Sequence, residues 1–241
     1  MNVVDEITGE GDIFLECKDL RKSFTVKRKE IRVLRGINLS VNRGEIVVIA
    51  GKTGAGKSTF LGVLGGLERQ TEGSVIFEGR CMEDLSHEEL ALLRRQKISV
   101  IFQNYNLLPS WTAYENVEAA LLHIGMSKTA RREKVKTLLN NLGLGERLDN
   151  LPSELSIGQQ QRVAIARTLA NEPALILADE PTGELDAETA QEIIEHLITP
   201  VREKGVTLVI ATHGIFPLDI STRLFYMKDG TLVPQGSIQQ G

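Results

Sequence analysis

The sequence predicts an α/β fold in which a parallel sheet carries the chemistry, with an added antiparallel β region and a helical subdomain. Three observations point there. Short apolar runs at 98–102, 174–178 and 207–211 have the length and composition of buried parallel strands. A glycine-rich turn joins the apolar strand at 45–50 to an apolar helix at 57–64. Between the first two of those runs, 103–171 carries an almost wholly helical pattern. The chain has 241 residues, 41% hydrophobic and 25% charged, which suits one large domain or a core plus a subdomain.

In chain order, 13–17, 32–41 and 45–50 read as strands separated by charged or glycine-containing turns, and 73–79 joins them. Gly65 and Gly66 stop the helix at 57–64. Within 103–171, Thr112 and Glu115 form a capping box ahead of a helix at 116–124 that Gly125 closes. Val135, Leu138, Leu139 and Leu142 give the apolar stripe of a second helix, ended by Gly143. Asp186 caps a helix at 187–198, and a hairpin over 223–227 and 231–233 turns at Asp229-Gly230. His87, His123 and His196 fall on predicted helices and read as solvated.

Composition removes several functions. A net charge of -4 and 5% aromatic residues supply neither the basic footprint nor the stacking platforms of a nucleic-acid binder. Cys17 and Cys81 have no metal-ligand spacing and read as inert thiols of a reducing compartment. Residues 1–12 are acidic and lack the pattern of a signal peptide. The longest apolar runs, 46–50 and 174–178, fall far short of the roughly 20 residues that cross a membrane. Any membrane role therefore comes through a partner.

The run Gly51-Lys52-Thr53-Gly54-Ala55-Gly56-Lys57-Ser58, followed by Thr59, fits G-x-x-x-x-G-K-[ST] between a strand and a helix. Backbone N–H groups there cradle phosphates, Lys57 neutralises the outer ones and Ser58 ligates Mg²⁺. The rival is a plain glycine turn, which does not need Lys57 followed by Ser58. A carboxylate on a neighbouring strand is also required to hold the magnesium, and Asp179 ends the apolar run at 174–178. Glu180 follows it, so the metal and the attacking water have separate carboxylates. Ser156 and Gln159 form another capping box at a Ser- and Gly-containing helix start, which is a helix cap or a second anion site.

Together, Leu155-Ser156-Ile157-Gly158-Gln159-Gln160-Gln161-Arg162 and Asp179-Glu180, in order after the phosphate loop, resemble the signature and Walker motifs of ATP-binding cassette (ABC) ATPases. The resemblance covers about 14–232. It implies a P-loop NTPase core over 1–102 and 172–241, with 103–171 as the helical subdomain of a single domain, 1–241. It implies ATP as substrate with Mg²⁺, Gln103 as the Q-loop glutamine on the metal, Asp186 at a dimer seam and His213 on the γ-phosphate. Phe24 stands where the family's adenine-stacking aromatic stands, and a core phenylalanine is the rival reading. Two subunits would pack head to tail, with Ser156 and Gly158 of one closing over the ATP held by Lys57 of the other. Leu107-Leu108-Pro109, Thr112 to Val117 and Pro181-Thr182-Gly183 resemble the lipoprotein-releasing and macrolide-exporting group, to which cell-division ATPases are close. The group implies a peripheral place on the cytoplasmic face of the membrane, beneath a permease that contacts the Tyr105 to Tyr114 region.

Three residues depart from the family pattern: Ile157 for glycine, Glu184 for asparagine, and Gly214 for the aspartate after the switch histidine. Ile157 is harmless if only its N–H serves, and weakens the trans contact if close backbone approach is needed. Glu184 adds negative charge near a nucleotide, and Gly214 loosens the chain beside His213. Two other functions compete with transport: a slow ATP-gated mechanical switch, and a soluble non-transport cassette ATPase.

Overall fold

The computed structural model describes residues 12–122, 124–213 and 221–234; residues 1–11, His123 and Gly214, on which expectations fell, lie outside them. The strands are β1 (Ile13–Val26), β2 (Lys29–Asn42), β3 (Ile46–Ala50), β4 (Glu72–Phe77), β5 (Arg80–Cys81), β6 (Ile98–Ile101), β7 (Leu175–Asp179), β8 (Thr207–Thr212), β9 (Arg223–Lys228) and β10 (Thr231–Pro234). The α-helices are α1 (Lys57–Leu64), α2 (His87–Gln96), α3 (Ala113–Glu118), α4 (Lys128–Asn141), α5 (Ile157–Ala170) and α6 (Ala187–Lys204).

Two sheets form. The antiparallel one has the order β2-β1-β4-β5, and the larger one the order β10-β9-β3-β8-β7-β6, parallel from β9 to β6. Side chains alternate across the parallel strands. Ile46, Val48, Ile176, Ala178, Leu208 and Ile210 pack with α3 to α6 in one core, while Val47, Ile49, Leu175, Leu177 and Val209 face α1 and the antiparallel sheet in the other. Burial on both faces is why these strands read as unbroken apolar runs.

Several boundaries differ from the sequence reading. β1 and β2 make a hairpin far longer than 13–17 and 32–41, closed by Lys27 and Arg28 at φ 47° and 66°. Its outer arm is half-buried or exposed, so polar residues occupy both faces and erase the alternation. In the helical region, 103–112 carries no helix, and α3 begins at Ala113, directly after its cap Thr112 and with Glu115 of the capping box inside it, and passes into a 3₁₀ turn at Ala119–Leu121. α6 runs on to Lys204 because Pro200 falls near its end, where only the final turns are left to form. His196, expected in solvent, is half-buried, and burial pushes its pKa down.

The strand order decides where chemistry happens. Gly51 follows β3, Asp179 ends β7, His213 follows β8 and Gln103 lies just beyond β6. All four stand at the carboxyl edge of the parallel sheet, where ligands of open α/β sheets bind.

Candidate active site

Gly54 and Gly56 adopt φ 80° and 107°, which bend the loop after β3 into the amino terminus of α1. A Cβ on Gly56 would stand 3.3 Å from Val33 and Leu34, so both conformation and packing require glycine. The loop is tied at each end: Gly51 N donates to Thr212 O (3.1 Å) and Gly230 N to Ala55 O (3.2 Å). Gly230 O in turn accepts from Arg35 N (2.9 Å), so the hairpin of β9 and β10 joins β2 to the loop.

A pocket of about 210 Å³ opens on this loop, lined by Val33, Thr53, Gly54, Gly56, Lys57, Ser58, Thr59, Gln103, Glu180 and His213. Lys57 is buried, and its Nζ donates to Gly51 O (2.8 Å) and Lys52 O (3.3 Å) and lies 3.2 Å from Glu180 Oε1. The other carboxylate oxygen of Glu180 accepts from His213 N at 2.9 Å and stands 2.6 Å from His213 Nδ1. Glu180 itself has φ 48°, with its N–H donated to Ala211 O (2.8 Å). A non-glycine residue held there costs about 1–3 kcal/mol, which the packed strand ends and these bonds sustain.

Asp179 lies behind the pocket. Burial pushes its carboxyl above the usual range, a hydrogen bond with Ser58 opposes this, and the Glu180 charge adds to the rise. Its Oδ1 is buried without a hydrogen-bond partner. Among the described residues no three His, Cys, Asp or Glu side chains cluster as a metal cage. The donors at hand are instead the Ser58 hydroxyl, the Gln103 amide and the orphaned Asp179 oxygen. That oxygen-only set fits Mg²⁺, which is held by few protein ligands and shares phosphate oxygens and water.

The signature residues lie elsewhere: Ser156, Gly158 and Gln159 do not line the pocket. Ser156 caps α5, and its reciprocal bonds with Gln159 occupy the N–H groups of both. Of the first-turn donors, Ile157 N–H and Gly158 N–H are left for a ligand. Ile157 opens the helix with its side chain 47% exposed. Gly158 is buried, and a Cβ there would stand 2.7 Å from Thr189 Cγ2, so the missing side chain serves packing against α6. Asp186 is the amino-terminal cap of α6, accepting from Thr189 N and Oγ1 at 3.0 and 2.8 Å, and these bonds lower its pKa. Phe24 is half-buried near the hairpin end, outside both cores, with Lys22 Nζ 4.7 Å from its ring centre. Val33 was not foreseen in the pocket; only the three-dimensional approach of β2 to Gly56 brings it there.

Residues 34–183 match the ABC transporter family. The chain belongs to that family. An ABC transporter ATP-binding protein of Thermotoga maritima is 45% identical over 90% of this chain and 93% of its own length. The ATP-binding cassette MJ0796, solved as a dimer in a post-hydrolysis state with ADP and Pi, superposes with TM-score 0.85 at 41% identity, covering 91% of this chain and 96% of that one. A macrolide export ATP-binding/permease protein of Syntrophobacter fumaroxidans is 43% identical over 92% of this chain, which spans only 31% of that protein. The chain is thus an ABC ATPase, the ATP-binding subunit of an ABC transporter. No helix among its described residues is long and apolar enough to cross a membrane.

Proposed function

We propose that this cassette hydrolyses ATP with Mg²⁺ as a head-to-tail dimer and drives a membrane-embedded permease in export, lipoprotein release or mechanical transmission. It works as one domain, 1–241, with 103–171 as the moving helical subdomain, peripheral on the cytoplasmic face of the membrane. The observation that carries the reading is the convergence of Lys57, Glu180 and His213 in one pocket while the donors of Ile157 and Gly158 stand apart from it. Each chain then offers half of two sites, and a second copy completes both. Ser156, Gly158 and Gln159 of that copy close the phosphate end, Asp186 meets the seam, and Phe24 stacks on adenine.

The roles follow from position. The backbone of 51–56 and Lys57 hold the phosphates, with Ser58 and Thr59 at the helix start. Ser58, Gln103 and Asp179 would hold Mg²⁺, which neutralises phosphate charge as the terminal bond breaks. Lys57 contacts both the loop carbonyls and Glu180, so a phosphate oxygen that draws Lys57 leaves Glu180 free to accept the proton of the attacking water. His213 bears on the terminal phosphate and orients Glu180.

Support for a permease contact comes from Leu108 and Trp111, both exposed on the segment after Gln103. Tyr105, expected among the anchors, is buried in this chain, and Tyr114 is half-buried with its hydroxyl on Glu118. The contact therefore rests on Leu108 and Trp111.

Glu180→Gln keeps size and hydrogen bonding but removes the base. With MgATP the variant accumulates as a dimer on size exclusion while hydrolysis falls by about 100-fold or more. A variant that stays monomeric at saturating MgATP, where the parent dimerises, defeats the proposal.

A further inference from the structure

The segment after Gln103 has no helix or strand until Ala113, yet two side chains fasten it at both ends. At the far end stands Asn116, only 1% exposed. Its Oδ1 accepts from Leu108 N at 2.8 Å, and its Nδ2 donates to Leu108 O, Trp111 O and Thr112 O at 3.2, 3.0 and 3.0 Å. At the near end stands Arg167, in the last turn of α5. Its Nη1 donates to Asn106 O at 2.7 Å and its Nη2 to Tyr105 O at 2.6 Å.

The Arg167 contact is unusual in its chemistry. Burial pushes the guanidinium down from its ordinary range, yet among the described residues it forms no ion pair. A half-buried cation without a carboxylate needs other acceptors for its donors, and here two consecutive carbonyls take two of its five N–H groups. Those carbonyls belong to residues in left-handed backbone, Tyr105 at φ 58° and Asn106 at φ 46°. Locally the turn is closed by Tyr105 N donating to Phe102 O at 2.9 Å and Asn106 N to Asn104 O, and the planar fork of arginine, matched to two acceptors, fastens it to α5. The Tyr105 ring is buried and its hydroxyl pKa is raised, first by burial and then by the Glu184 charge of the loop after β7.

Resting on the ATP-driven reading above, we propose that Arg167 is a positioning residue that locks the Tyr105–Asn106 turn to α5, holding Gln103 at the phosphate pocket and Trp111 at the exposed crest as one rigid unit. Arg167 does not line the phosphate pocket. Ten residues along the same helix from Ile157, about 15 Å by helical rise, it ties the donors offered to the partner copy's nucleotide to this chain's own Gln103. Movement of α5 on closure is thereby delivered to Gln103 and to the crest together.

The test uses the full chain and its only tryptophan, Trp111. Arg167→Met keeps the stem and removes charge and donors; Arg167→Lys keeps the charge but reaches one carbonyl at a time. Arg167→Met is expected to bind a fluorescent ATP analogue within about two-fold of the parent and to leave KM near its parental value. Its kcat falls about ten-fold, or about 1.4 kcal/mol in the barrier. Acrylamide quenching of Trp111 rises with and without MgATP, and Arg167→Lys lies between parent and Met variant in both readouts. Unchanged kcat and quenching in Arg167→Met overturn the proposal. So does a parallel loss of ATP affinity and melting temperature, which marks a general folding role. Should Arg167→Met fail to fold, Arg167→Lys decides: parental kcat and quenching overturn the proposal, and lowered kcat at constant KM with raised quenching supports it. A parent chain that neither binds nor hydrolyses ATP defeats the functional reading instead, while the quenching comparison still judges the brace.

Discussion

Asp179 and Glu180 are neighbours in sequence with unlike surroundings. Glu180 is held by Lys57 and His213, whereas Asp179 is desolvated, with one oxygen unpartnered and its carboxyl pushed up. A carboxyl raised in the fold binds its proton more tightly there than in the unfolded chain. Its contribution to stability is therefore lost as pH rises from the ordinary carboxylate range through the raised value. Asp179→Asn removes that cost. At neutral pH and without nucleotide the variant is expected to melt higher, by on the order of 1 kcal/mol or ~2–4 °C, and the gap closes on acidification. Stabilisation by MgATP shrinks in the same variant. Differential scanning fluorimetry from pH 4 to 8, with and without MgATP, measures both effects; a lower neutral-pH melting point for Asp179→Asn contradicts the assignment. The pocket's own residues were legible in the sequence because Lys57-Ser58 and Asp179-Glu180 each follow an apolar strand within a few positions. Val33 and Arg167 were not, since their roles depend on a strand crossing Gly56 and on carbonyls about 60 positions away, which no local spacing encodes.

At the level of elements, α5 has work at both ends, and the helix caps explain how much of the fold could be read. The Ser156 and Asp186 caps, and the Thr112 box, follow from local side-chain chemistry and were visible. The length of β1 and β2 was not, because an exposed hairpin arm has no buried face to impose alternation. Ile157 occupies the first turn of α5, half-exposed, where a backbone N–H has no acceptor within the helix. Nothing in that geometry requires glycine. Ile157→Gly is expected to change steady-state hydrolysis by less than ~10-fold, about 1.4 kcal/mol in the barrier. A much larger gain would make Ile157 a brake and favour the slow mechanical switch over continuous transport.

Across the whole molecule, the exposed apolar side chains Leu108 and Trp111 sit on the segment that Arg167 and Asn116 brace. A preformed surface of this kind loses little conformational entropy on docking. Trp111→Ala is expected to leave ATP binding by the isolated chain intact and to weaken co-purification with the membrane component. In the parent, Trp111 emission shifts to shorter wavelength on assembly. Normal recovery of the variant would move the permease contact elsewhere on the surface.

The placement of β3 between β8 and β9 has a consequence for the nascent chain. The phosphate loop is synthesised before both strands that flank its own strand, which follow about 160 and 180 residues later, roughly 8–36 s at ordinary elongation rates of about 5–20 residues per second. Until then β3 has two open edges, Gly51 lacks the carbonyl of Thr212 and Ala55 lacks the N–H of Gly230. Nucleotide capture is thus deferred on the ribosome until β8 and β9 have been made. A molecule halted before β8 carries the complete phosphate-loop sequence without the two strands, and the Thr212 and Gly230 contacts, that hold it in shape.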